Sequence, residues 1–147
     1  MIAAGGIMDG AGIAGIAGIA AALRLGAAAA QLGTAFVATA ESAADEGYRA
    51  LLASGAAHHT VITAAISGRP ARCLTNLFTV LGADVCVREI PPYPVTYDAG
   101  KALNAAAKAK GEPGYGAQWA GQGAPLARAL PAAELMATLI EELKAAV

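Results

Sequence analysis

Two stretches decide the fold: Ile2-Ala-Ala-Gly5-Gly6-Ile7 and Gln31-Leu-Gly33-Thr34-Ala-Phe36. Each is a short apolar run ending in Gly or Gly-Thr, and a Gly/Ala-rich segment joins them. Residues 2–7 are too short and too Gly-terminated for a helix, and residues 28–33 give a second run of the same kind. The reading is strand, crossover helix, parallel strand. Glycine at the C-terminal end of a strand lets backbone N–H groups approach a ligand closely. Two neighbouring parallel strands that end this way make a phosphate clamp. The same glycines also suit plain tight strand-to-helix turns.

Between the strands, Met8-Asp9-Gly10 forms a turn, and Asp9 is placed to accept backbone N–H bonds at the start of a helix over residues 11–25. That helix is interrupted by three copies of Gly-Ile-Ala beginning at Gly12, Gly15 and Gly18. Each glycine costs roughly 0.5–1 kcal/mol against Ala in a helix interior. The repeat therefore either elongates the helix or bulges out as a loop. Gly26 is a natural residue just past the helix end.

Further on, Asp45-Glu46 opens a helix that runs to about residue 54, with acidic residues at its positive end. The β-branched run 60–66 reads as a strand, and Ser67-Gly68-Arg69-Pro70 reads as a turn. Ala71, Leu74, Leu77, Phe78 and Leu81 lie at helical spacing, which predicts a helix over 70–81. The Pro-rich segment from Arg88 to Pro94 predicts an extended connector. An Ala-rich helix follows from Tyr97 to about Lys110, with Lys101, Lys108 and Lys110 on a solvated face. The last helix, 131–146, begins at Pro131. Its apolar stripe is Leu135, Leu139 and Leu143 with Met136 and Ile140 alongside, and Glu134, Glu141 and Glu142 are expected to face outward.

The 147 residues suffice for one domain with a real core. Hydrophobic residues make up 56% and aromatic ones 5%, so the core is built of small side chains suited to close helix–strand packing. A net charge of −1 gives no electrostatic reason to expect nucleic acid. Residues 10–23 are uncharged but bracketed by Asp9 and Arg24, and a bilayer span needs about 20 residues. No basic segment precedes them. The expectation is a soluble cytoplasmic chain with no membrane partner. Cys73 and Cys86 read as buried or half-buried free thiols. No His/Cys/Asp/Glu spacing suggests a metal, and no nucleophile elbow or Walker-type loop is present.

Taken together, Ile2-Ala-Ala-Gly-Gly-Ile-Met-Asp-Gly10, Leu25-Gly-Ala27 and Gln31-Leu-Gly-Thr-Ala-Phe36 resemble the C-terminal part of FMN-dependent nitronate monooxygenases, formerly called 2-nitropropane dioxygenases. The resemblance continues through Thr39-Ala-Glu-Ser42, Ser67-Gly-Arg-Pro-Ala-Arg72 with Asn76, Pro92-Tyr-Pro94 and Trp119-Ala-Gly-Gln-Gly-Ala124. It implies an α/β fold: a partial (β/α)8 TIM barrel, its last two strands and closing helix, with a smaller inserted α+β domain. Residues 1–48 would hold strands 7 and 8 with the phosphate-binding loops, 49–125 the smaller substrate-side domain, and 126–147 the returning helix. In barrels of this kind a phosphate site commonly lies on the loops after strands 7 and 8. The resemblance places FMN on Ala4, Gly5, Gly6, Gln31, Leu32, Gly33 and Thr34, with Thr34 adding a hydroxyl donor. It places Tyr97 and Trp119 at the substrate cavity, with Tyr93 beside them, although ordinary packing suits these rings as well.

The activity implied is flavin-dependent oxidation of alkyl nitronates, or nitroalkanes, with O2. The family's catalytic base is a His after a Gly-Gly pair on an earlier strand, and the chain has no Gly-Gly-His. Its only histidines, His58 and His59, read as solvent-facing, so no catalytic residue is assigned. The expectation is a C-terminal portion of such an enzyme, with open strand edges that favour self-association. Two alternatives stay open: a flavin enoyl-acyl-carrier-protein reductase or quinone reductase of the same barrel family, and an inactive piece that acts only in binding or assembly. Arg69 and Arg72 read either as anion binders or as anchors to carbonyls and carboxylates.

Overall fold

Strand β1 (Ile2–Ala4) and strand β2 (Ala29–Gln31) pair in parallel, with Ile2 opposite Ala29 and Ala4 opposite Gln31. The computed structural model describes residues 1–11 and 18–147. Most of the Gly-Ile-Ala repeat, and with it the choice between an elongated helix and a bulge, lies outside the described residues. Both strands are shorter than the apolar runs that contain them. The chain leaves extended geometry at Gly5 (φ +94°) and Gly6 (φ +70°), a region that only glycine enters without strain. After β2, Gly33 opens the short helix α2 (Thr34–Val37).

Helix α1 (Ile19–Arg24) lies between the strands. Its first N–H groups are met by main chain: Ile19 donates to the Asp9 carbonyl at 3.0 Å and Ala20 to that of Gly10 at 2.9 Å. Asp9 thus serves the helix start through its carbonyl. The other end closes as expected. Gly26 (φ +92°) donates to Leu23 and Ala27 to Ala22, the paired bonds of a Schellman motif.

Two compact units divide the chain: Met1–Asp45 with Gly121–Val147, and Glu46–Ala120. In the first, helix α6 (Ala132–Ala146) supplies Leu135 and Leu139 to a core with Met8 and Ala35, flanked by Ile19, Leu32, Phe36 and Leu126. Its start is met by Glu41, whose carboxylate accepts from the Ala132 N–H at 2.9 and 3.1 Å. The apolar stripe is narrower than expected, since Met136 and Ile140 are exposed. Glu142 corrects the expectation of an outward face. Its carboxylate accepts from the Gly10 N–H at 2.8 Å and from Arg128 Nη1 at 2.6 Å, while Arg128 Nη2 also donates to the Met8 carbonyl at 3.0 Å. This network ties α6 to the loop after β1. Arg128 draws the Glu142 carboxyl below its ordinary value, and the Gly10 N–H adds to the effect against the opposing cost of burial.

The second unit contains helix α3 (Glu46–Leu52), the antiparallel strands β3 (Thr60–Thr63) and β4 (Ala71–Leu74), and helices α4 (Leu77–Leu81) and α5 (Val95–Lys108). The predicted helix over 70–81 is therefore wrong in its first half. The turn at Ser67–Pro70 closes a hairpin that sets Thr60 opposite Leu74 and Thr63 opposite Ala71. On its other side β4 bridges Trp119 through Cys73, with Leu74 donating to the Gln118 carbonyl. Sheet hydrogen bonds on both sides outweigh a weak helical period. The real helix starts at Asn76, which forms a reciprocal capping box with Thr79.

Cys73 is fully buried, and burial pushes its thiol up to about 11. Cys86 is exposed, contrary to the expectation of a buried or half-buried thiol. His58 and His59 are exposed, as are Lys101, Lys108 and Lys110. Among the described residues, no helix is long and apolar enough to cross a membrane.

Candidate cofactor and substrate sites

At the C-terminal ends of β1 and β2 lies a hollow of about 260 Å³. Ala4, Gly5, Gly6, Ile7, Gln31, Gly33, Thr34 and Gly121 line it. Six of the seven residues expected at a phosphate site thus come together. Leu32 does not; its side chain packs into the core beside Phe36. Leu32 directly follows Gln31, the last residue of β2, and successive side chains of an extended chain point to opposite faces, so Leu32 turns to the core while Gln31 lines the hollow.

The reasons for the glycines differ. Gly5 and Gly6 are required by positive φ. Gly33 is not: its φ is −111°, and a Cβ there would meet nothing within 4 Å. Neither backbone conformation nor packing demands a glycine at Gly33, so the absent side chain leaves only open space above the main chain. Neither Gly6 nor Gly33 donates its N–H to a backbone carbonyl among the described residues. The Thr34 hydroxyl oxygen accepts from the Gly121 N–H at 2.9 Å, which leaves the hydroxyl proton free to be donated.

Gly121 and Ile7 were not predicted at this hollow. The signal for Gly121 was present in Trp119-Ala-Gly-Gln-Gly-Ala124, where two glycines flank Gln122. A Cβ on Gly121 would lie 3.3 Å from the Gly6 nitrogen, and one on Gly123 would overlap Met8. The loop approaches the end of β1 closely because both side chains are missing. The hollow is lined by no cation, so the positive character it offers is the partial charge of backbone N–H groups.

The second unit carries its own cavity, of about 310 Å³, lined by Ser67, Arg69, Ala71, Tyr93, Tyr97 and Trp119. Both residues expected at a substrate cavity, Tyr97 and Trp119, are present. The Tyr93 and Tyr97 rings lie 5.9 Å apart, and the Arg69 guanidinium carbon sits 5.4 Å from the Tyr93 ring centre. Tyr48 anchors the Trp119 segment by donating its hydroxyl to the Trp119 carbonyl. Arg72 does not reach this cavity; it donates to Thr60 Oγ1 at 3.1 Å and braces the hairpin. Among the described residues, no group of three or more His, Cys, Asp or Glu is placed to hold a metal.

The first unit carries a parallel strand pair ending in a glycine-lined hollow, the second carries an aromatic cavity, and the chain as a whole is of the mixed α/β class. The family model for nitronate monooxygenase matches residues 1–142, and the chain belongs to that family. It is 67% identical over 144 residues to a nitronate monooxygenase of Paraburkholderia phytofirmans, covering 98% of this chain and 38% of the relative. It is 53% identical over 144 residues to one of Pseudomonas aeruginosa, covering 98% and 39%. Among solved structures, nitroalkane oxidase from Streptomyces ansochromogenes superposes with a TM-score of 0.86 at 42% identity, covering 99% of this chain and 39% of that one. FabK from Thermotoga maritima gives 0.69 at 31% identity, covering 98% and 44%. The chain thus spans about two-fifths of the length of these relatives.

Proposed function

We propose that this chain is the FMN-phosphate-holding and substrate-walling portion of an enzyme that oxidises alkyl nitronates with O2. The observation that carries the reading is Gly33, a glycine with no conformational or packing requirement, placed where a phosphate needs room beside free N–H donors. Ala4, Gly5, Gly6, Gln31 and Thr34 complete the cradle. FMN would supply the acceptor for substrate electrons and the means of reducing O2. The chain's own residues bind and orient. Gly5, Gly6 and Gly33 present N–H groups, Thr34 adds a hydroxyl, and Tyr97 and Trp119 wall a cavity for a small nitronate or nitroalkane.

In this reading β1 and β2 are the last two strands of a (β/α)8 barrel, α6 is the closing helix, and residues 49–125 form most of the smaller domain. Parallel strands are ordinarily covered on both faces, whereas Ile2 is 64% exposed here, which supports further strands or self-association at this face. No residue of the chain is assigned as the base that would deprotonate a neutral nitroalkane. His58 and His59 are exposed and line neither cavity. The higher TM-score and identity to the nitroalkane oxidase favour nitronate chemistry over that of FabK. A cytoplasmic location belongs to the same proposal.

The test is titration of the purified chain into FMN, following flavin fluorescence with the mass of the species checked in the same sample. Saturable quenching, followed by O2 consumption with propane-2-nitronate where binding occurs, is the expected result. Absence of saturable FMN binding overturns the reading for this chain.

A further inference from the structure

The aromatic cavity of the second unit contains an uncompensated positive charge. Two cations stack on the Tyr93–Tyr97 pair, one at each end: Arg69 over Tyr93 at 5.4 Å and Lys101 over Tyr97 at 5.1 Å. Their electrostatic situations differ. Lys101 is neutralised by Asp98 at 2.7 Å. Arg69 has no carboxylate partner among the described residues, and no acidic side chain lines the cavity that it borders.

Arg69 is placed there by the main chain. Its N–H donates to Ser67 Oγ at 3.4 Å, and Ser67 Oγ donates to the Arg69 carbonyl at 3.1 Å, which pins the hairpin turn. Gly68 (φ +79°) lets the turn lie against the next segment; a Cβ there would sit 2.6 Å from the Pro91 carbonyl oxygen and 2.6 Å from the Tyr93 nitrogen. The turn is pressed onto the strip that carries Tyr93, so the guanidinium meets the ring. A planar guanidinium stacked on an aromatic face keeps its N–H edge available for a planar, two-oxygen anion.

We infer that Arg69 is the anion selector of this cavity, a specificity residue that makes the site prefer a small planar anion with an alkyl tail over its neutral isostere. The inference rests on the reading of this cavity as a substrate site. It adds that the charged nitronate is recognised by its charge and its two oxygens, while Tyr93, Tyr97 and Trp119 contact the alkyl part.

The chain reports on this cavity directly, because its single tryptophan, Trp119, lines it. The experiment is titration of the full chain with 2-methylpropanoate, which shares with propane-2-nitronate a planar two-oxygen anionic group and a branched alkyl tail, and with neutral 2-methylpropanamide, following Trp119 fluorescence. The expected result is at least about tenfold tighter binding of the carboxylate, the scale of one hydrogen-bonded charge. That preference should weaken with added salt. Arg69→Gln removes the preference while leaving amide binding in place, and Arg69→Lys retains part of it. The unchanged amide affinity also shows that the exposed Arg69 site is still folded. Equal affinity of the wild-type chain for both probes, or undiminished carboxylate preference in Arg69→Gln, overturns the assignment to Arg69 and leaves the cavity reading standing. If neither probe nor propane-2-nitronate perturbs Trp119, the cavity reading falls and this inference falls with it.

Discussion

Replacing Gly33 by Ala separates a structural glycine from a ligand-clearing one. Its φ of −111° and ψ of −67° are open to Ala, and the added methyl would meet no atom within 4 Å. Folding stability should therefore change little, within a gain of about 1 kcal/mol from the stiffer unfolded chain. Ligand binding should respond differently. A methyl beside the Gly33 N–H keeps a phosphate oxygen from approaching it, and one lost hydrogen bond to a charged group costs about 1.5–3 kcal/mol. That corresponds to about 10- to 100-fold weaker FMN binding. Riboflavin has no phosphate, so its affinity should be the same for both chains. The assay pairs flavin fluorescence titrations with urea unfolding of Gly33→Ala and the parent chain. The reasoning is refuted if the variant binds FMN within twofold of the parent. A loss of several kcal/mol of stability would equally refute it, since Gly33 would then be a packing requirement.

Other perturbations test the frame around the sites. Glu142→Gln removes the charged partner of Arg128, which keeps its bond to the Met8 carbonyl, and should cost about 1–3 kcal/mol in urea unfolding. Because Arg128 lowers the Glu142 carboxyl in the folded chain, that stabilisation is fully present above the ordinary value of 4.5 and is lost as pH falls through the depressed folded value. The variant should thus show a shallower loss of stability in that acid window. Gly82→Ala puts a methyl into the Ala65 side chain and should destabilise by about 1–3 kcal/mol, whereas Gly55→Ala, with nothing within 4 Å, should not; thermal unfolding of the two compares them. A thiol reagent at neutral pH should modify Cys86 rapidly and Cys73 only after unfolding, since Cys73 is 0% exposed. Mass spectrometry of the folded chain should show one adduct.

What could be read in the sequence was whatever local chemistry carries by itself. Gly26 announced a helix end, and the Gly-terminated apolar runs announced parallel strands with a shared hollow. Pro131 announced the start of α6. The failures are cases where distant partners decide. Ala71 and Leu74 share a helical period with Leu77 and Leu81 only by coincidence, because the first pair belongs to a strand bonded on both sides, to β3 and to the Trp119 segment. Asn76 and Thr79 held the signal that would have divided the run. Glu142 looks like an outward acid on its own helix; its partners are Arg128 and the Gly10 N–H, the latter 132 positions away. Gly121 joins the hollow through a loop approach that spacing along the chain does not encode.

The central claim, that the hollow at the ends of β1 and β2 holds the flavin phosphate, is tested most directly by the amide resonances of the isotopically labelled chain on addition of FMN. The account predicts that the Gly5, Gly6, Gly33 and Thr34 amides shift with FMN and not with riboflavin at equal saturation, while Gly55 and Gly111 stay in place. Equal shifts with both flavins, or shifts that leave Gly5, Gly6 and Gly33 untouched, would contradict it.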